Sequence, residues 1–320
     1  MTSPRAFITG IAGFAGSWLA KELLQQGYEV HGAIYSKHPR NRLRELRKSL
    51  HLYELNITNA ARCREVIAAV QPDYIFHLAA QASVGQSFDK ERLTYKLNFD
   101  GTLNIVQAAV GLSGLKALLF VSSSDCFGPV KGSELPLSEA HSCRPISPYG
   151  LSKLAAEHLC RYYHAQYGLP TIIARAFNHS GPGQDPTFVI SAFARQIAEI
   201  EAGVQPAVLK VGDLSPKRDF SDVRDIVTGY RLLAEQGKAG ETYHLCSGIA
   251  TSIKTLLNSL LKNSQKKITV RVDKNRLRKN DVPVIRGDNR KVVQAVGYSP
   301  RYTLNDTLRD TLNYWRRATG

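Results

Sequence analysis

The chain has 320 residues, 43% of them hydrophobic and 22% charged, and a formal net charge of +15. This balance excludes a disordered chain, and the short, interrupted apolar runs exclude a membrane-spanning helix. The positive charge attracts polyanions, small nucleotides as readily as nucleic acid, but no zinc finger or RNA-recognition motif is present, so no nucleic-acid partner is expected.

The first strand-like run, Phe7-Ile8-Thr9-Gly10, begins so early that a cleavable leader would remove part of the fold, so an untargeted chain is expected. Gly10, Gly13 and Gly16 follow at GxxGxxG spacing, with Phe14 and Ala15 opening a helix. Glycines at such a strand-to-helix turn let the backbone approach a pyrophosphate, and the helix N-terminus offers N–H donors and a positive dipole end. The second strand, 29–35, leads into Ser36 and Lys37 without the acid that would bind a free ribose 2′-hydroxyl. Ser36 and Lys37 suit a 2′-phosphate, with Arg40 or Arg42 in reserve, so NADP(H) is favoured over NAD(H) as the alternative.

Further strands are predicted at 51–55, 74–79, 117–123 and 171–177, and amphipathic helices at 17–26, 60–70, 91–110 and 150–167. This alternation predicts an α/β fold, a doubly wound parallel (Rossmann) sheet covered by helices on both faces. Residues 178–187 and 207–222 read as irregular, 241–247 as a strand returning to the sheet, and 251–263 and 303–317 as helices. Two lobes follow: a dinucleotide-binding domain of 1–177 plus 223–248, and a smaller C-terminal α/β substrate lobe of 178–222 plus 249–320. The five cysteines, Cys63, Cys126, Cys143, Cys160 and Cys246, form no CxxC or metal-type spacing. No metal is expected, and a reducing cytoplasm is the simplest compartment.

Ser147-Pro148-Tyr149-Gly150-Leu151-Ser152-Lys153 places Tyr149 and Lys153 four residues apart, on one helix face. A neighbouring ammonium lowers the pKa of a phenol, so that Tyr149 can exchange a proton with a substrate oxygen while hydride moves at the attached carbon. The strand Leu118–Asp125 ends in serines, and strand carboxyl ends face the ligand crevice. Ser123 is the candidate for orienting the substrate oxygen.

TGIAGFAG, DYIFHLAA, NFDGTLN, FVSSSDCFG, SPYGLSK, RAFNHSGPGQ, KRDFSDVRDIV and CSG occur in this order, and the sequence resembles the extended short-chain dehydrogenase/reductases acting on nucleotide sugars over essentially its whole length. The resemblance implies a Ser123–Tyr149–Lys153 triad and a Lys153 bond to the nicotinamide ribose. It also implies Asn56 and Ile57 near adenine; Leu78, Ala79, Ala80 and Phe177 along the cofactor; Asn98 in support of the lysine; and a homodimer built on the Tyr149 helix and its neighbour. The segments after residue 175 are similar to the GDP-mannose branch. That branch implies a GDP-linked sugar contacted by Asn178, Val189, Lys210, Arg218, Arg278 and Asp281. Its 4,6-dehydratases carry a Thr, a polar residue and a Glu where this chain has Ser123-Ser124-Asp125. A dehydratase needs a base for the C5 proton, and Asp125 is one methylene shorter than Glu. The pattern is closer to reductases of GDP-6-deoxy-4-keto-hexoses, with 4,6-dehydration and then C4 epimerisation as alternatives, and a non-catalytic NADPH-binding protein as the alternative from a different class.

Overall fold

The computed structural model describes residues 3–35, 41–276 and 282–319. In chain order the first lobe contains β1 (Arg5–Thr9), α1 (Phe14–Gln25), β2 (Glu29–Ile34), β3 (Leu50–Glu54), α2 (Ala60–Val70), β4 (Tyr74–His77), α3 (Val84–Asp89), α4 (Glu91–Tyr95), α5 (Gly101–Ala109), β5 (Ala117–Ser123), α6 (Pro148–Tyr167) and β6 (Thr171–Ala176). There follow β7 (Asn178–Ser180), α7 (Val189–Glu201), β8 (Val208–Val211), β9 (Lys217–Asp222), α8 (Val223–Gln236), β10 (Thr242–Leu245), β11 (Ala250–Ser252), α9 (Ile253–Lys262), β12 (Thr269–Val272), α10 (Arg290–Val296) and α11 (Leu304–Thr319).

Seven strands form one parallel sheet in the order β3-β2-β1-β4-β5-β6-β10. The strand order reverses between β1 and β4, which opens a crevice at their carboxyl ends. Central strands such as β4 and β6 are buried along their whole length, as expected of a sheet with helices on both faces. One face packs residues of α1, α8 and α10 around Leu19, Leu23, Ile226 and Tyr230. The other packs α2, α5 and α6 around Ile67, Ile105, Val106 and Cys160. The sheet and its helices match the doubly wound Rossmann class that the strand–helix alternation predicts.

The smaller lobe has its own core, in which Ile190, Phe193 and Ile197 of α7 meet Leu256 and Leu260 of α9 and Leu308 and Leu312 of α11. Residues 207–222, read from sequence as irregular, contain β8 and β9. Their partners are distant: β8 pairs with β12, and β9 lies between β11 and β7 in a three-stranded sheet. Short strands of this kind exist only because of those partners, so local periodicity does not reveal them. β10 returns to the large sheet beside β6. Residues 290–298, which the sequence reading groups with the substrate lobe, send Val292, Val296 and Tyr298 into the core of the first lobe.

Candidate active site

β1 runs into the glycine loop, and the loop is shaped by close approach. Gly10 has φ +73°, and a Cβ there would lie 2.9 Å from the Ala79 nitrogen. At Gly16 a Cβ would lie 2.2 Å from the Gly10 carbonyl oxygen. Gly13 starts α1 without any side-chain cap. The first-turn amides of Phe14, Ala15 and Gly16 therefore have no side chain to satisfy them, which is the arrangement that accepts phosphate oxygens. The Phe14 ring stacks on His179, with centroids 6.1 Å apart, and the Trp18 indole donates to the Pro182 carbonyl at 3.1 Å, so the loop after β7 rests on α1.

Ser36 and Lys37, and Arg40, lie outside the described residues. Arg42 donates to the Gly183 carbonyl at 3.0 Å. Asn56 is exposed just beyond β3, and its side-chain oxygen accepts from both the backbone N–H and the hydroxyl of Thr58, at 3.1 and 3.0 Å. A contact with adenine through that oxygen would compete with both bonds. Ile57 is buried against Gly101. Leu78, Ala79 and Ala80 follow β4 and are half-buried beside the glycine loop, where the Ala79 N–H donates to Thr9 Oγ1 at 3.2 Å.

Pro148 at the first position of α6 and the Ser147 hydroxyl, which accepts the Gly150 N–H at 3.0 Å, start the helix immediately before Tyr149. Tyr149 and Lys153 are 8% and 3% exposed. The Ser123 hydroxyl at the end of β5 donates to Asp125 Oδ2 at 2.9 Å. Asp125 is exposed at the turn that follows. The Lys153 ammonium donates to the Val121 carbonyl at 2.8 Å and lies 5.0 Å from the centroid of the Phe120 ring.

The electrostatics depart from the simple phenol–ammonium pair. Burial pushes the Tyr149 phenol up and Asp125 pushes it further, while the Ser123 hydroxyl acts in the opposite direction. Lys153, committed to a carbonyl on β5, does not lower it as the four-residue spacing predicts. Burial also lowers the Lys153 ammonium to about 8, against the pull of Cys126, Cys160 and Glu157.

Asn98 sits in a π-helical turn joining α4 to α5, an irregularity common at functional sites. Its side chain accepts the Gln81 N–H at 2.8 Å and donates to Ser152 Oγ at 2.9 Å. Ser152 in turn donates to the Tyr149 carbonyl at 2.7 Å. Asn98 thus reaches the residue beside Lys153 rather than the lysine itself.

Several supporting groups are absent from the sequence reading. His77 Nδ1 lies 2.6 Å from Thr9 Oγ1 and its Nε2 lies 3.0 Å from Thr102 Oγ1, which donates to the Asn98 carbonyl at 2.6 Å. Each hydroxyl can donate only once, so this chain places the His77 proton on Nε2. Burial and the Lys153 charge lower His77 to about 3, which keeps it neutral for that role. Glu157, one turn after Lys153, accepts from Ser122 Oγ at 2.6 Å, from Arg175 Nε and Nη2 at 2.7 Å each, and from Arg161 Nη2 at 2.9 Å. Burial alone would raise this carboxyl, but Arg175, Ser122 and Arg161 together hold it below the usual range. The i, i+4 step from Lys153 to Glu157 was the only available signal.

In the smaller lobe, Asn178 opens β7, and Arg218 on β9 donates to the Lys217 carbonyl at 2.9 Å. Asn178 pairs in register with Phe220, two residues from Arg218, so a three-stranded sheet brings these candidates together. Between Arg218 and Phe220, fully buried Asp219 accepts from Ser247 N and Oγ at 2.8 and 2.6 Å, Gly248 N at 2.9 Å and Gly287 N at 3.2 Å. It thereby fixes the segment after β10 against β9. Val189 starts α7 half-buried, and exposed Lys210 on β8 is held through its backbone by Gln196 at 2.9 Å. Phe177 follows β6 and is buried against Phe127 and His244. Arg278 and Asp281 lie outside the described residues.

Comparison with known proteins bears on the family of the chain. The family model described as GDP-mannose 4,6 dehydratase matches residues 7–311. A GDP-6-deoxy-D-mannose reductase of Pseudomonas aeruginosa is 39% identical over 246 residues, covering 76% of this chain and 80% of the relative. The human GDP-mannose 4,6 dehydratase is 28% identical over 346 residues, covering 98% and 92%. Among solved structures, RMD from Pseudomonas aeruginosa complexed with NADPH superposes with a TM-score of 0.84 at 32% identity, covering 99% of this chain and 100% of that one. A UDP-glucose 4-epimerase of Thermotoga maritima with UDP-glucose reaches 0.88 at 28% identity over 99% and 100%. With a match running from β1 into α11, the chain belongs to the GDP-mannose 4,6-dehydratase family, within the extended short-chain dehydrogenase/reductases that act on nucleotide sugars.

Proposed function

We propose that the protein reduces the C4 keto group of a GDP-6-deoxy-4-keto-hexose with NADPH. The observation that carries this reading is the buried Ser123–Tyr149–Lys153 cluster whose adjoining carboxylate, Asp125, is short and hydrogen-bonded to Ser123. Relatedness to the reductase from Pseudomonas aeruginosa at 39% identity supports it.

The glycine loop fits a dinucleotide: its helix start is uncapped, and Cβ atoms at Gly10 and Gly16 would collide with backbone. Phe14, Ala15 and Gly16 would hold the pyrophosphate; Leu78, Ala79 and Ala80 would line the cofactor; and Asn56 and Ile57 would flank adenine. When bound, NADPH supplies the hydride. Tyr149 gives its proton to the C4 oxygen, with the Ser123 hydroxyl orienting that oxygen. A phenol held up by burial stays in its acid form at neutral pH, and an alkoxide is a far stronger base than a phenolate, so the transfer runs downhill. The Lys153 ammonium, one turn after Tyr149 on α6, would bind the nicotinamide ribose. Asn98, through Ser152, holds the first turn of α6 in place. Asn178 and Arg218 face the sugar diphosphate, a task suited to guanidinium geometry. Val189, Lys210, Arg278 and Asp281 complete the nucleotide-sugar contacts.

The family model's description keeps GDP-mannose 4,6-dehydration as the second reading. Stoichiometry separates the two. Reduction consumes one NADPH for each keto sugar, whereas dehydration consumes none overall. Formation of a 4-keto product from GDP-mannose alone would overturn the reductase reading.

The exposed apolar side chains of Leu93 on α4 and of Leu151 and Tyr162 on α6 support a homodimer through these helices. Five free thiols fit a reducing cytoplasm. No helix among the described residues is long and apolar enough to cross a membrane.

A further inference from the structure

β2 and β3 carry a second cluster of chemically competent side chains, away from the cleft. His31 and His51 are register partners across this parallel pair, and Glu29 lies two residues before His31 on the same face. Glu29 Oε1 is 3.0 Å from His31 Nε2 and 3.5 Å from His51 Nε2, and the three donor atoms all lie within 4.8 Å of one another. In a tetrahedral site with bonds near 2.0–2.1 Å, neighbouring ligand atoms are spaced about 3.3 Å apart. The two measured edges bracket that spacing.

We propose that Glu29, His31 and His51 form a binding site for a divalent transition-metal ion of the zinc class. Two imidazoles and one carboxylate suit such an ion, whereas magnesium and calcium favour all-oxygen sets. The second shell is present: His31 Nδ1 lies 3.1 Å from the Tyr53 hydroxyl, which would accept the ring N–H once Nε2 holds a metal. The His31 side chain is 7% exposed, while those of Glu29 and His51 are 41% and 58% exposed. One ligand is therefore anchored in the sheet, and two stand at its surface, leaving the fourth position to water. The neighbouring cation Arg5 acts against the site, but its guanidinium donates to the Val70 carbonyl at 2.8 Å and its backbone N–H donates to Asp73.

The role follows from position. Among the described residues β3 is the outermost strand of the sheet, joined on one side only. An ion shared by β2 and β3 ties that edge down without entering the catalytic cleft, which lies at the opposite, carboxyl ends of the strands. Sequence spacing could not show the site, because parallel pairing alone brings His51 beside His31.

The test is a calorimetric titration of the chelator-treated protein with zinc chloride, repeated with His51→Ala and Glu29→Gln. One zinc should bind per chain, at least tenfold more weakly in each variant, and zinc should raise the unfolding midpoint of the parent chain but not of His51→Ala. Cobalt(II) should give the visible absorption of a tetrahedral site in the parent chain alone. Both variants change surface side chains, and Glu29→Gln preserves shape, so at least one is expected to remain folded. Absence of zinc binding, or equal affinity in the parent and a folded variant, overturns the proposal.

Discussion

Ser123 and Asp125 are joined reciprocally: the Ser123 hydroxyl donates to Asp125 Oδ2 at 2.9 Å, and the Asp125 N–H donates back to Ser123 Oγ at 3.2 Å. The carboxylate is thereby held at the end of β5, where it raises the Tyr149 phenol. A dehydratase requires a carboxylate that reaches the C5 proton. A reductase does not. Asp125→Asn should therefore retain at least about a tenth of the keto-reductase rate, because general-base catalysis, worth about 10²–10⁴-fold where it operates, is not being removed. NADPH oxidation with a GDP-linked 4-keto sugar measures this, and a loss of a thousandfold or more would contradict it.

Tyr149→Phe removes the proton donor and leaves the ring in place. Turnover should fall by about 10²–10⁴-fold. NADPH affinity, measured by fluorescence titration, should stay close to that of the parent, since most of the proposed cofactor contacts lie on the glycine loop, after β3 and after β4. Wild-type turnover in this variant would remove the phenol from the mechanism.

Lys153 titrates near 8 in the fold because burial disfavours its charge. If the ammonium is the working form, it is lost as pH rises through that value. The rate of NADPH oxidation at saturating substrate should decline above pH 8, well below the ordinary lysine range near 10.4. A flat profile from neutral pH to pH 10 would show that the charge on Lys153 is not required.

Glu157 is completely buried and is held by Arg175, Arg161 and Ser122. Glu157→Ala would leave the Arg175 guanidinium buried without its carboxylate, and such a break costs about 3–5 kcal/mol. Urea unfolding should show it as a lower midpoint. Because the folded pKa of Glu157 is depressed, its contribution is present above the unfolded value near 4.3 and is lost as pH falls through the folded one. A variant of parental stability at pH 7 would contradict this.

Gly16→Ala places a methyl group 2.2 Å from the Gly10 carbonyl oxygen, a backbone atom that cannot rotate away. The loop must shift, and the amides proposed to hold the pyrophosphate shift with it. NADPH binding should weaken by at least tenfold while circular dichroism still reports the folded chain. Unchanged affinity would mean that this loop does not hold the cofactor.

Local rules were enough for much of this protein. Apolar strands alternating with amphipathic helices determined the parallel sheet, and three glycines between β1 and α1 marked the turn at its carboxyl edge. The four-residue step from Tyr149 to Lys153 determined a shared helix face. Tertiary structure decided what those residues touch. Lys153 faces the Val121 carbonyl on β5, Asn98 reaches Ser152 across helices, and His77 links Thr9 to Thr102, all through contacts between residues far apart in the chain. β8 and β9 likewise exist as strands only through β12, β11 and β7. Spacing along a sequence reports periodicity within one element. It carries no information about burial or about which distant group accepts a proton, and those two quantities set the acidity of Tyr149 and Lys153.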